Sequence, residues 1–129
     1  MTTNSFSSRS KILVVDDEHS LVNLCLLILE QAGYTVRGAF SGKQALQMVD
    51  DEVPDLILLD VMMPGMDGIE VCRRIRQLMP EQRPYILMYT ADDRQNTKTE
   101  SINAGANDLI SKETPIFDLP QKIQTYLNC

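Results

Sequence analysis

The chain has 129 residues, about one domain's length and enough to bury a single core, so one domain is expected, with residues 1–9 as a flexible tail and 10–129 as the folded unit. Its 12 Lys and Arg against 18 Asp and Glu leave a net charge of −6 with no basic run to meet a phosphate backbone, which argues against direct nucleic-acid binding. The longest apolar stretch, Leu24 to Leu29, is too short to span a bilayer, and the polar leader Met1 to Ser10 lacks a secretory apolar segment. Cys25, Cys72 and Cys129 are an odd count without CxxC spacing; the first two read as small buried hydrophobes, which suits a reducing cytoplasm.

In chain order, the first strand spans Ile12 to Val15 and runs into Asp16 and Asp17. Leu21, Leu24, Cys25, Ile28, Leu29 and Ala32 then follow one face of a helix that Gly33 stops. A second strand covers Tyr34 to Phe40, and a helix from near Ser41 turns Ala45, Leu46 and Val49 inward. The third strand, Leu56 to Leu59, runs into Asp60; the helix from near Asp67 buries Val71, Cys72, Ile75, Leu78 and Met79, with Pro80 and Pro84 bracketing the next turn. The fourth strand, Tyr85 to Tyr89, runs into Thr90. The helix between Asp93 and Ala104 has only Ile102 and Ala104 as apolar anchors among mediocre helix formers, so it is expected to be weakly held. Leu109 and Ile110 mark a fifth strand ending at Lys112. The last helix, near Leu119 to Leu127, puts Ile123, Tyr126 and Leu127 on one face; Pro120 fits only a first turn, which makes Asp118 the expected N-cap.

Alternation of five strands with five helices implies βαβ units, and the near-continuous apolar runs fit strands buried on both faces, hence an α/β fold with a parallel sheet. Such sheets bind ligands beyond the carboxyl ends of their strands, where this chain places Asp16, Asp17, Asp60, Thr90 and Lys112. Singly, each has an ordinary explanation: an acidic pair after a strand caps a helix, and a strand-end Thr or Lys meets water. Together, three carboxylates repel unless a cation holds them, and Mg²⁺ suits an all-oxygen set. Neither GxxxxGK[ST] nor GxGxxG is present, so phosphate would be held covalently or by side chains.

With ILVVDDE at 12–18, LILLDVMMPGMDG at 56–68, ILMYTA at 86–91 and GANDLISK at 105–112, the chain resembles the receiver domain of two-component response regulators, in the stand-alone chemotaxis-regulator form. The resemblance covers roughly residues 10–127 and implies a flavodoxin-like three-layer sandwich with a doubly wound sheet in strand order 2-1-3-4-5. It implies that Asp60 accepts a phosphoryl group from a histidine kinase or phosphotransfer protein. Asp17 and Asp60 would ligate Mg²⁺, with Mn²⁺ as a substitute, Asp16 would act through water, and the backbone carbonyl of Met62 would complete the protein ligands. Lys112 supplies a second positive charge, and Thr90 donates a hydroxyl to the phosphoryl group. The same resemblance implies self-dephosphorylation without a separate substrate, so not an enzyme in the usual sense. It places the output in protein contact through the face of helix 4, strand 5 and helix 5, toward a downstream protein that the sequence does not name. Because the chain ends shortly after the fifth helix, a single-domain regulator is expected.

Two positions depart from the family pattern. Leu109 stands where an aromatic residue usually rotates, and Glu113 and Thr114 separate Lys112 from Pro115, where the family has a directly following cis proline. A cis bond before Glu113 would cost about 3 kcal/mol, so a trans bond is expected. Met62 and Asp92, two residues beyond Asp60 and Thr90, occupy positions that in the family influence dephosphorylation. Met62, Met63 and Met66 otherwise read as loop packing, since thioethers do not suit Mg²⁺, and His19 as a polar first-turn helix residue. Competing readings are a phosphorylation-independent interaction module, a metal-dependent phosphatase and a flavin binder. The phosphatase reading lacks two-residue-spaced aspartates after strand 1, and the flavin reading lacks a phosphate loop there.

Overall fold

A computed structural model describes residues 9–79 and 83–127; the expected tail up to Ser8, Pro80 and Cys129 lie outside these. Five strands, β1 (Lys11–Val15), β2 (Thr35–Ala39), β3 (Leu56–Leu59), β4 (Tyr85–Thr90) and β5 (Asp108–Ser111), form one sheet in the order β2-β1-β3-β4-β5, every pairing parallel. Helices α1 (His19–Gln31), α2 (Gly42–Asp51), α3 (Gly68–Leu78), α4 (Gln95–Ala104) and α5 (Leu119–Leu127) connect or follow them. This is the flavodoxin-like order that the resemblance implied.

Side chains alternate across the strands and fill two cores. Leu13, Val15, Ile57, Leu59, Ile86 and Met88 pack with residues of α2, α3 and α4, while Ile12, Val14, Leu56, Leu58, Leu87 and Tyr89 pack with α1 and α5. Each fully buried Leu or Ile contributes about 1.5–3 kcal/mol, which is why the central strands read so clearly in the sequence.

Two helices begin where their capping residues predict. The Ser41 hydroxyl accepts from the Gln44 amide at 3.1 Å and caps α2, and the Gln44 side chain reaches back past the cap to accept from the Phe40 amide at 2.8 Å. The Asp67 carboxylate accepts from the Glu70 amide at 2.9 Å and caps α3.

Four inward assignments are corrected. In α1, Leu24 and Ala32 are exposed and Val22 is buried with Cys25, Ile28 and Leu29. The phase is set by Gly38 on β2, where a Cβ would lie 2.6 Å from Val22 Cγ1, so Val22 occupies the notch that the missing side chain leaves. In α3 the buried stripe continues to Met79, leaving Leu78 at the helix end 66% exposed. In α4 Ile102 is 42% exposed, and the buried face is Thr97, Ser101 and Ala104. Asp118 is no extended N-cap: Ile116–Asp118 form a 3-10 turn that leads straight into α5, with Pro120 in the first turn as its missing amide requires. The Lys112–Glu113 bond is trans; among the described residues the cis bond is Arg83–Pro84.

Candidate functional site

The ladder continues past the strand ends and fixes the residues beyond them. The Asp16 amide donates to the Ala39 carbonyl at 3.1 Å, the Asp60 amide to Val15 at 3.0 Å, and the Lys112 amide to Thr90 at 2.9 Å. Adjacent parallel strands therefore deliver Asp16, Asp60, Thr90 and Lys112 to one edge, with Asp17 one residue further out and exposed. Carboxylate oxygens of Asp16, Asp17 and Asp60 lie within 4.8 Å of one another. They line a cavity of about 470 Å³ together with Glu18, Met62, Ala91 and Lys112.

Asp16 and Asp60 are both buried, which is costly for two anions without a cation. Lys112 answers part of that cost: its ammonium donates to Asp16 Oδ2 at 2.6 Å and stands 3.4 Å from Asp60 Oδ2. Burial pulls the Lys112 pKa down, yet the hydrogen bond to Asp16 and the charges of Asp60 and Asp16 leave it above its ordinary value. Asp60 moves up from the usual carboxylate value because burial and the Asp16 charge outweigh Lys112, the Met62 amide and the Thr90 hydroxyl. The remaining carboxylate bonds are local: Asp16 Oδ1 accepts from the Glu18 amide at 3.0 Å and Asp60 Oδ1 from the Met62 amide at 3.3 Å.

One positive charge against three clustered carboxylates leaves room for a second, and an all-oxygen donor set fits a hard divalent ion. Thr90 is fully buried, and its hydroxyl accepts from the Asp92 amide at 3.2 Å. Met62 borders the cavity with its side chain mostly in solvent, and Met63 is buried in the core. His19 is exposed and stacks on Phe40 with ring centroids 4.0 Å apart. Leu109, in the place of the usual aromatic, is half-buried against the α2–α4 core.

Gly68 was not singled out from the sequence, although the DG step at 67–68 pointed to a helix start. A Cβ there would fall 2.0 Å from the Asp60 carbonyl oxygen, and the Gly68 amide donates to the Val61 carbonyl at 2.9 Å. Only glycine lets the first turn of α3 close against the backbone that carries Asp60.

Comparison with known proteins agrees with this arrangement. A family model described as the response regulator receiver domain matches residues 12–124. The alkaline phosphatase synthesis transcriptional regulatory protein PhoP of Bacillus subtilis is 48% identical over 105 residues, which are 79% of this chain and 42% of that protein. Among solved structures, a CheY-like response regulator receiver domain protein from Methanospirillum hungatei is 31% identical with a TM-score of 0.87, covering 94% of this chain and 95% of its own. The chemotaxis protein CheY4 of Vibrio cholerae is 30% identical with a TM-score of 0.86, covering 92% and 98%. Among the described residues no helix is long and apolar enough to cross a membrane. The strand order and the matched span together settle its kinship: the chain belongs to the family of response regulator receiver domains.

Proposed function

We propose that Asp60 is the phospho-acceptor of this receiver domain. An oxygen of its carboxylate attacks the phosphorus of a phosphohistidine in line; a P–O bond forms, the P–N bond breaks, and the imidazole leaves with the electron pair and takes a proton from water. The product is an acyl phosphate on Asp60, which water hydrolyses in turn without a separate substrate. Little covalent help is needed, because positioning and neutralisation of the phosphoryl oxygens dominate such transfers.

Lys112, which already stands between Asp16 and Asp60, would follow the charge, and the Thr90 hydroxyl at the end of β4 would donate to a phosphoryl oxygen. Asp17, Asp60 and the Met62 backbone carbonyl would hold a Mg²⁺ ion, with Asp16 acting through water; Mn²⁺ shares the preference for oxygen. When bound, that ion neutralises charge on the transferring group. In the cytoplasm, the domain would then signal by protein contact through α4, β5 and α5, where Asp108, Ser111, Lys122 and Tyr126 line a polar cavity of about 280 Å³.

The observation that carries this reading is the close set of three carboxylates with the Lys112 ammonium 2.6 Å from one and 3.4 Å from another. Mass spectrometry after treatment with acetyl phosphate and Mg²⁺ tests it. One labile phosphate is expected on the wild type and none on Asp60→Asn; an unmodified wild type would favour a phosphorylation-independent interaction module.

A further inference from the structure

Helix α4 is held by an unusual set of contacts. Its buried face carries two hydroxyls, Thr97 at 4% exposure and Ser101 fully buried, and a buried hydroxyl without a partner is costly. Both are satisfied in series. Ser101 Oγ donates to the Thr97 carbonyl at 2.8 Å, and Thr97 Oγ1 donates to Asp92 Oδ2 at 2.8 Å. Arg94, the N-cap residue, makes no side-chain cap bond; its guanidinium grips Asp92 instead, at 2.8 Å and 2.9 Å. The Asp92 amide donates to Thr90 Oγ1 at 3.2 Å, and Thr90 ends the strand next to β3, which runs into Asp60. A continuous polar chain thus runs from Thr90 through Asp92 to Thr97 and Ser101.

Resting on the phospho-acceptor reading of Asp60, we infer that Thr97 is a positioning residue for the chemistry there: through its bond to Asp92 it holds back the Thr90 hydroxyl. The carbon skeleton of Thr90 is packed in the core, so its hydroxyl advances toward a phosphoryl oxygen only with the loop that carries Asp92. Asp92 is tied at its amide to Thr90 and at its carboxylate to α4, so that advance must draw on the Thr97 bond. The polar clasp gives phosphorylation a route into α4.

The test is binding of beryllofluoride, a phosphoryl mimic, in the presence of Mg²⁺, followed by isothermal titration on the full chain. Removing one hydrogen bond that opposes the bound state should tighten binding by about three- to tenfold in Thr97→Val, from the net worth of such a bond. Thr97→Ser keeps the hydroxyl and should match the wild type. The effect should vanish in a Thr90→Ala background, which a purely structural role of Thr97 would not produce. Asp92→Ala, in the loop ahead of α4, breaks the clasp from its other end and should tighten binding in the same direction, so a misfolded Thr97→Val leaves the test intact. Unchanged affinity in both Thr97→Val and Asp92→Ala, an equal shift in Thr97→Ser, or persistence of the effect without Thr90 overturns the inference. A wild type that binds no beryllofluoride overturns it together with the phospho-acceptor reading, whereas clean wild-type binding with flat variants sinks the clasp alone.

Discussion

Asp60 is costly to the fold, and its cost has a sign that can be measured. Burial and the neighbouring Asp16 raise its pKa above the ordinary value of 3.8, so the native state holds a proton there at pH values where the unfolded chain has lost it. Stability therefore falls as pH rises from about 3.8 through the folded pKa, the reverse of a salt-bridged carboxylate. Asp60→Asn, melted in chelator across a pH series, should be more stable than the wild type near neutrality, with the gain shrinking as pH drops below that window. A gain that is constant with pH would mean that ionisation of Asp60 is not its source. The place of Asp60 at the strand end was legible because a carboxylate follows an apolar strand with another acidic pair upstream. Gly68 was not, because the 2.0 Å approach of its absent Cβ to the Asp60 carbonyl belongs to tertiary structure, not to any local pattern. Arg76 was missed for a related reason. Among Arg73, Arg74 and Arg76 it reads as one more surface charge, yet its guanidinium donates to the carbonyls of Gly105 and Pro84 at 2.9 Å and 2.8 Å and joins α3 to the loops beside α4.

At the level of elements, legibility followed how strongly a pattern excludes its alternatives. Strand β3 was read to its residue bounds because four apolar residues flanked by polar ones leave no other register. Helix α1 was placed with Cys25, Ile28 and Leu29 on its buried face, but Leu24 was taken for Val22, because Leu24 to Leu29 is apolar on every side and periodicity alone does not fix the edges of the face. The choice is made across the interface, where a Cβ on residue 38 would come within 2.6 Å of Val22 Cγ1 and only glycine leaves Val22 its place. Gly38→Ala should accordingly cost about 1–3 kcal/mol by overpacking. Much of that loss should return in the double variant with Val22→Ala, a non-additivity that denaturant melts of the four proteins would reveal. Additive losses would show that Gly38 does not seat Val22. In helix α4 only the inward place of Ile102 was misread, for the opposite reason: the helix has few apolar residues, and its two buried hydroxyls take their partners from the helix itself and from Asp92 just ahead of it, which no hydrophobic pattern records.

On the scale of the whole molecule, the site is a balance of charge among three strands, with Asp16 after β1, Asp60 after β3 and Lys112 after the edge strand β5. Lys112 therefore does more than await a phosphate, because it is the cation that lets two buried carboxylates coexist. Replacing it with Met keeps the aliphatic stem and removes the charge. Breaking a fully buried pair costs about 3–5 kcal/mol, and a lower figure of about 2 kcal/mol is expected here because the Lys112 side chain is 20% exposed and partly screened. The deficit should be reversible by a divalent ion, since the freed carboxylates then bind it without competition from an ammonium. A ligand at a hundred times its dissociation constant stabilises by about 2.7 kcal/mol, so saturating Mg²⁺ should raise the melting temperature of Lys112→Met more than that of the wild type. Calorimetry with and without Mg²⁺ on both proteins measures the difference directly. Equal shifts would mean that Lys112 and the metal do not share the same oxygens, and the electrostatic unity of the three strand ends would fall with that result.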